Sequence, residues 1–267
     1  MSRSGYYRWR KRPESHRLVR NKQLKVHIRA IYNKHKGRYG SPKIADELND
    51  NGFQVSKNSV ARRMKEAGLR SIVRRRYRAT TNSNHSHPVA DNLLKRDFKT
   101  AEPNAVWVSD ITYIATKRGW LYLTVFLDLY SRMVVGWALS SSLSSQMVQM
   151  ALSRAICSRR PGAGLIIHSD RGVQYASKDF RKLLGKHEFI QSMSRKGDCW
   201  DNAVAESFFS IIKSELIHHV HFKDRNDALP ALFEYIEVYY NRNRKHSTLG
   251  YQTPVQFEES VKTAVCF

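Results

Sequence analysis

The sequence is poor in cysteine and has no long apolar run. Its three cysteines, Cys157, Cys199 and Cys266, are widely spaced and include no Cys-x-x-Cys pair, which argues against a disulfide framework and a cysteine zinc site. No run approaches the roughly 18–20 apolar residues of a membrane span, and the N-terminus lacks the apolar core of a signal peptide. We therefore expect a cytoplasmic protein without a membrane partner.

Acidic residues are also scarce: 23 Asp and Glu stand against 46 Lys and Arg, a net charge of +23. Residues 1–100 hold 26 basic and 7 acidic residues (+19), whereas residues 101–267 hold 20 and 16 (+4). This asymmetry predicts an N-terminal module that binds a polyanion. A membrane-surface protein is the alternative, but it would show a long basic helix with an apolar face.

Three helices are predicted within residues 21–70, after a basic arm at residues 1–20. Ser41 and Pro42 predict the N-cap and the first position of the second helix, and Ser56 begins the third. Apolar residues at i, i+4 and i+7 make the first helix amphipathic: Leu24, Ile28 and Ile31.

The third helix buries Val60, Met64 and Ala67 and leaves polar residues outside, as the recognition helix of a helix-turn-helix module does. A merely solvated helical face is the alternative. We expect DNA contacts from this face and from the basic segment that follows it: Lys57, Asn58, Arg62, Lys65, Arg74, Arg75 and Arg76.

Residues 71–102 are basic, then polar, without a sustained period, and we interpret them as a linker. His85 and His87 within them lack the cysteine partners of a zinc site. Residues 103–222 then alternate short β-type runs with helical ones, which predicts a mixed sheet flanked by helices. A helical extension at residues 223–267 completes the chain.

Two aspartates are predicted at sheet strands and one glutamate on a helix. Asp110 lies within an apolar strand, Asp170 follows another, and Glu206 has Asn202 and Lys213 on its own helical face. Three gathered carboxylates repel one another unless a cation is bound, and hard oxygen ligands suit Mg²⁺ or Mn²⁺. A pair of such ions would support phosphoryl transfer.

Thirty-five residues separate Asp170 from Glu206, and the strings around the three acids are distinctive. W-x-x-D-I-T-Y, H-S-D-R-G-x-Q-Y and D-N-A-x-x-E-S-F-F resemble the second open reading frame of bacterial insertion-sequence transposases, in the retroviral-integrase-like D,D-35-E family. The resemblance covers nearly the whole chain. It implies a ribonuclease-H-like integrase core with a mixed five-stranded sheet, preceded by an all-α helix-turn-helix module.

The resemblance also implies a mechanism and partners. Asp110 would bridge two ions, while Asp170 and Glu206 would each complete one. Water and then a 3′-OH would be the nucleophiles, acting on the element ends and the target DNA. We expect a homo-oligomer in a bacterial nucleoid, together with an upstream reading-frame partner or a frameshift fusion. The chain lacks the His/His/Cys/Cys zinc domain of retroviral integrases.

Several further residues are weighed individually. Lys213, Arg195 and Lys196 are expected to contact DNA, whereas His168 and Asn202 are supporting residues that orient or pack. The tryptophans in the strand patterns are expected in the core rather than as stacking platforms. Those expected in the core are Trp107, Trp120 and Trp137, together with Trp200.

Three other functions remain open at this stage. A nuclease with a covalent tyrosine intermediate would use His219 and His221 with Tyr235, Tyr239 or Tyr240, but it leaves the acids unexplained. A DNA-binding regulator without enzyme activity would rest on the basic helices alone. A ribonuclease H or Holliday-junction nuclease would share the fold and metals but yield only cut strands.

Overall fold

The computed structural model describes residues 2–10, 13–73, 90–94, 100–195 and 202–265. The chain divides into two compact units, residues 1–74 and residues 75–267. None of the helices in the described ranges is long and apolar enough to cross a membrane.

The first unit is all-helical. Its helices are α1 (Arg3–Arg10), α2 (His16–Lys34), α3 (Ser41–Asp50) and α4 (Lys57–Glu66). Ser56 caps α4, as predicted, through its side chain. The last three helices pack around one small core, to which each contributes buried side chains: Leu24, Ile28, Ile31, Ile44, Leu48, Val60 and Met64.

Two predicted details of this unit are wrong. The helix α2 begins at His16, because the Ser15 side chain caps it, so it extends into the segment predicted as an arm. The N-cap of α3 is Gly40 rather than Ser41. The carbonyl of Gly40 already accepts a hydrogen bond from the Ile44 backbone N–H at 3.2 Å, which makes Ser41 the first helical residue.

The second unit is built on a mixed five-stranded sheet, as predicted. Its strands are β1 (Val106–Thr116), β2 (Gly119–Asp128), β3 (Val134–Ser140), β4 (Ile166–Ser169) and β5 (Ile190–Met193). Their order across the sheet is β3-β2-β1-β4-β5. The first three strands form an antiparallel meander, β4 is parallel to β1, and β5 is parallel to β4.

Three helices surround the main core of this unit: α5 (Ser145–Arg159), α6 (Val173–Ala176) and α7 (Lys178–Lys186). The contact of α5 with β3 depends on Gly136, because a Cβ there would lie 2.4 Å from the carbonyl oxygen of Ala151. The side chains that pack between the sheet and these helices include Trp107, Phe126, Leu152, Ile167, Tyr175 and Phe180.

The remaining helices are α8 (Ala203–Glu215), α9 (Arg225–Phe233), a π-helical turn over Glu234–Tyr240, and α10 (Pro254–Val265). The helical extension expected from residue 223 is therefore helical, and it also closes the edge of the sheet.

A side chain of this extension forms hydrogen bonds with the edge strand β3. The Asn241 amide accepts a hydrogen bond from the Val134 backbone N–H at 3.0 Å and donates one to the Val134 carbonyl at 2.9 Å. Glu258 on α10 accepts hydrogen bonds from Ser131 and Arg159. These contacts make the C-terminal residues part of the second unit's structure.

The described part of the predicted linker contacts the sheet. The Leu93 backbone N–H donates to the Ser192 hydroxyl at 3.0 Å, the Met193 N–H donates to the Asp91 carbonyl at 3.3 Å, and Leu94 is buried. Residues 90–94 therefore lie beside β5. The histidines weighed as zinc ligands, His85 and His87, lie outside the described residues.

The core prediction for the tryptophans is correct for Trp107 and Trp137, which are buried, and wrong for Trp120. Trp120 is 58% exposed, because it lies near the end of the β1–β2 hairpin, where β1 extends beyond β4. Trp200 lies outside the described residues.

Candidate active site

Asp110 and Asp170 lie where two neighbouring parallel strands diverge. The pairing of β1 with β4 ends at Ser109 opposite Ser169, and each aspartate is the next residue along its chain. Polar residues at the carboxyl ends of parallel strands meet at one edge of a sheet. The fold therefore brings these two predicted residues together.

Local backbone contacts hold both carboxylates. One oxygen of Asp110 accepts a hydrogen bond from the Ile111 backbone N–H at 2.7 Å, and one oxygen of Asp170 accepts from the Gly172 N–H at 2.9 Å. A Cβ on Gly172 would lie 3.0 Å from that same Asp170 oxygen. Glycine thus lets the backbone approach the carboxylate closely.

Glu206 lies in the first turn of α8, where the helix dipole favours a negative charge. The N-terminal end of α8 is joined to β1 by Asn202, whose buried side-chain amide donates to the Ser109 carbonyl at 3.0 Å. That carbonyl belongs to the residue before Asp110. Asn202 thereby links the segment that begins the Glu206 helix to the strand of Asp110.

The surroundings of Asp110 and Glu206 disfavour the charged forms of these acids. Desolvation raises the pKa of Asp110 well above its ordinary value; Asp170 raises it further, with a smaller contribution from Glu206. Burial also raises the pKa of Glu206. Burial lowers the pKa of Lys213, and the nearby Asp110 opposes this shift. Lys213 is therefore close enough to Asp110 for their charges to interact. This agrees with its predicted position on the same helical face as Glu206.

The acids do not form a closed cage. In the described part of the chain, no group of three or more His, Cys, Asp or Glu side chains is arranged to hold a metal ion.

The supporting residues are buried. His168 is fully buried, and its Nδ1 lies 2.8 Å from the Ser192 hydroxyl, so it packs between β4 and β5 and is inaccessible to DNA. Sequence reasoning overlooked Tyr175, whose buried hydroxyl lies 2.8 Å from that of Ser109. Burial raises the pKa of Tyr175 well above its ordinary value, and Asp110 and Asp170 raise it further. The H-S-D-R-G-x-Q-Y string contains this tyrosine and was the available signal.

The candidate DNA contacts fall into three groups. Those on α4 are all exposed: Lys57, Asn58, Arg62 and Lys65. Arg195 is exposed just after β5, whereas Lys213 is half-buried. The others lie outside the described residues: Arg74, Arg75, Arg76 and Lys196.

The tyrosine-nuclease alternative is contradicted. Tyr235, Tyr239 and Tyr240 are buried, and the Tyr235 hydroxyl donates a hydrogen bond to Glu215 at 2.8 Å. Burial raises the pKa of Tyr235 well above its ordinary value. A buried phenol whose ionisation is suppressed cannot attack a DNA phosphate.

Three family models match the chain. An HTH-like domain covers residues 19–77, one Integrase core domain covers residues 100–199, and a second Integrase core domain covers residues 206–261. The three carboxylates all fall within the two core matches.

Curated relatives match over almost the full length. A 31 kDa protein of insertion element IS600 from Shigella sonnei is 44% identical over 97% of this chain and 95% of its own. Transposase InsF of insertion sequence IS3A from Escherichia coli (strain K12) is 40% identical over 97% of this chain and 90% of its own.

A solved structure shows the same fold. One chain of the simian T-cell lymphotropic virus intasome in complex with PP2A regulatory subunit B56 gamma is 16% identical, with a TM-score of 0.52 over 86% of this chain and 74% of that one. Together with the extent and identity of the curated matches, this places the chain in the insertion-sequence transposases with an integrase core domain, which are DDE-type polynucleotidyl transferases.

Proposed function

We propose that Asp110, Asp170 and Glu206 form the active site of this transposase and act with bound divalent cations. The observation that carries the proposal is the meeting of Asp110 and Asp170 at the ends of paired strands, in a desolvated region where each raises the cost of charging the other. Such a charge excess fits a cation. The donor set consists of hard carboxylate oxygens, which favour Mg²⁺ or Mn²⁺.

In this proposal Asp110, Asp170 and Glu206 would together hold two divalent ions. When bound, the ions would lower the pKa of an attacking hydroxyl group and stabilise the oxygen that leaves phosphorus. The chain's own residues hold the substrate: Lys213 contacts a DNA phosphate near Asp110, and Asn202 positions α8 against β1.

Two successive displacements follow. A water oxygen first bonds to a phosphorus at the element end; the bond from that phosphorus to the 3′ oxygen breaks, leaving a 3′-OH. That hydroxyl then bonds to a phosphorus of the target DNA and releases a target 3′-OH while its own proton goes to solvent. Each step forms one P–O bond and breaks one, so no covalent protein–DNA intermediate is needed.

The first unit supplies DNA affinity in this scheme. The exposed residues Lys57, Asn58, Arg62 and Lys65 lie along one helix, as a recognition helix requires. Residues 1–74 hold 20 Lys and Arg against 5 Asp and Glu, and this charge of +15 suits a polyanion. Arg74, Arg75, Arg76, Arg195 and Lys196 would add further DNA contacts.

The proposed organisation keeps the sequence boundaries except the first, because α2 begins at His16. An arm before α2, a helix-turn-helix module that ends at 70, a linker at 71–102, a core at 103–222 and an extension at 223–267 act on element ends and target DNA within the nucleoid. The active form is a homo-oligomer, with an upstream reading-frame partner or a frameshift fusion.

The test is strand joining with labelled element-end DNA and Mg²⁺, followed by sequencing of the junctions. Asp110→Asn, Asp170→Asn and Glu206→Gln should each lower the joining rate at least about a thousandfold, because each removes a ligand for ions that contribute several kcal/mol. DNA binding should remain.

Asp179→Asn is the matched control, since Asp179 is an exposed acid on α7, and it should join DNA at the normal rate. Joining by the triad variants would refute this assignment of the active site. Products that are cut but never joined would instead support the ribonuclease H or junction-nuclease alternative.

A further inference from the structure

The end of the β1–β2 hairpin carries an exposed group of aromatic and basic residues. We call it the hairpin patch, and its members are Tyr113, Lys117, Arg118, Trp120 and Tyr122. Tyr113 is 48% exposed and Trp120 is 58% exposed, whereas Tyr122 packs against the core. Large aromatic side chains that remain in solvent next to one another are a common mark of a binding surface.

The rings are held in a fixed arrangement. The Tyr113 ring lies edge-on to both neighbours, with centroid distances of 6.3 Å to Trp120 and 5.2 Å to Tyr122. Tyr113 and Tyr122 are direct partners in the β1–β2 register. The patch is therefore preorganised, and the outer face of Trp120 remains accessible.

The patch lies on the strand of Asp110 but on the opposite face of the sheet. β4 pairs with β1 only as far as Ser109, so from Asp110 onward β2 is the one strand neighbour that β1 has in the described residues. Tyr113 is three residues beyond Asp110, about 10 Å along an extended strand, and side chains alternate between the two faces of a strand. DNA held at Asp110 would therefore have to pass the end of the hairpin to reach the patch.

The hairpin turn adds positive charge. Lys117 and Arg118 are exposed, and the Lys117 backbone N–H donates to the Phe222 carbonyl at 3.0 Å, which ties the turn to the chain beyond α8. Arg118 forms an exposed ion pair with Asp224 at 3.0 Å, which screening by solvent weakens. Aromatic faces beside lysine and arginine suit bases linked by phosphates.

We propose that the hairpin patch binds an unpaired base of the DNA substrate, with Trp120 stacking on the base and Lys117 contacting a phosphate. The base must be unpaired at that point, because bases inside a duplex already have both faces covered by their neighbours. This inference rests on the proposed function, in which the chain acts on DNA. A second copy of the chain is the other possible occupant, but the two cations of the turn favour a polyanion.

The test is DNA binding by the full chain in EDTA, where no chemistry occurs. Two fluorescent probes of the same sequence are compared: a blunt duplex and a duplex with a short single-stranded tail. Trp120→Ala should weaken binding of the tailed duplex about tenfold and leave binding of the blunt duplex unchanged. Trp120→Phe should retain most of the affinity, because it keeps an aromatic face.

Phe233→Ala is the matched control, since Phe233 is 55% exposed on α9, and it should bind both probes normally. Tyr113→Ala provides a second variant with the same expected direction. A thermal melt accompanies each variant, and both patch residues are exposed enough that we expect little change in melting temperature.

Equal losses on both probes would overturn the proposal in favour of a duplex contact. An unchanged affinity combined with a smaller sedimentation coefficient would overturn it in favour of a protein interface. Because the assay needs no metal, it reports on the patch even if the carboxylate variants were to retain strand joining, so the two failures are distinguishable.

Discussion

The pKa values of one carboxylate in the first unit and one in the second are shifted in opposite directions by their surroundings. Glu47 on α3 accepts hydrogen bonds from Lys34 and has His35 Nε2 at 2.7 Å, and despite burial these partners lower its pKa to about 2. Asp110 on β1 is also desolvated, but its strongest neighbour is another acid, and its pKa is raised. The charge of the first acid is compensated by the protein's own groups, whereas in the proposed active site the charge of the second would be compensated by a bound cation.

Two acids on one helix of the second unit, Glu215 and Glu206, also have different surroundings. Glu215 on α8 forms a buried ion pair with Arg244 at 2.8 Å and accepts the Tyr235 hydroxyl. Nine residues earlier on the same helix, Glu206 has no ion pair with a Lys or Arg among the described residues. One helix thus carries an acid that forms a structural ion pair and an acid to which we assign a catalytic role.

Breaking the structural pair should have the largest effect on stability. Arg244→Ala leaves Glu215 charged, buried and without its guanidinium, so the free energy of unfolding should fall by about 3–5 kcal/mol. Urea denaturation followed by tryptophan fluorescence measures the loss. The double variant Glu215→Gln/Arg244→Met should recover most of it, and a double variant as unstable as the single one would show that the charge itself is not the cause.

Removing the charge of Glu47 should have a smaller effect, confined to the first unit. Glu47→Gln should lower the free energy of unfolding of α3 by about 2 kcal/mol, because it weakens two charge-assisted hydrogen bonds. Hydrogen exchange of the α3 amides in the full chain reports it, and the amides of β1 should be unaffected.

Glu47 should also make the stability of α3 depend on pH. The folded pKa of Glu47 is lowered, so its stabilisation is present above the usual carboxyl pKa of 4.5 and is lost as pH falls toward about 2. The protection factors of the α3 amides, which correct for the pH dependence of intrinsic exchange, should therefore fall in this window for the unsubstituted chain and change less for Glu47→Gln. Identical acid profiles would contradict the role given to this carboxylate.

Asp110, in the proposed active site, should show the opposite pH dependence and the smallest effect on stability. The folded pKa of Asp110 is raised, so its contribution to stability is present below the usual value of 3.8 and is lost as pH rises. In EDTA at neutral pH, Asp110→Asn should raise the melting temperature by about 2–4 °C, which corresponds to about 1 kcal/mol. The difference should vanish below pH 3.8.

Adding Mg²⁺ sharpens this last prediction. Binding to the folded state should raise the melting temperature of the unsubstituted chain, and the Asp110→Asn chain should respond less. Equal responses would argue that the cation binds elsewhere.

Most of the fold follows from the sequence because its signals are local. The first three strands are rich in branched or aromatic residues, and a glycine or a polar turn separates them, as Gly119, the first residue of β2, does after β1. The positions of Asp110 and Asp170 follow in the same way, since one lies in a strand and the other directly after one. The register that puts them side by side is a tertiary property.

The features that sequence reasoning missed depend on contacts between residues that are far apart in the sequence. The pairing of Glu215 with Arg244 spans 29 residues and leaves no periodic trace. Trp120 was expected in the core because its strand pattern is apolar, yet no element covers the end of that hairpin in the described structure. Burial of this kind is decided by which elements happen to be neighbours, and a one-dimensional pattern does not contain that information.

The side chain of Asn241, which bonds both backbone groups of Val134, has a consequence for synthesis. The two residues are 107 positions apart, and Glu258 reaches Ser131 over 127. A nascent chain that has already exposed all three acids still lacks these closures, so its sheet edge should remain unfinished while the ribosome adds the C-terminal helices. We therefore expect a chain truncated after residue 222 to be inactive in strand joining, which would delay DNA cleavage until translation is nearly complete.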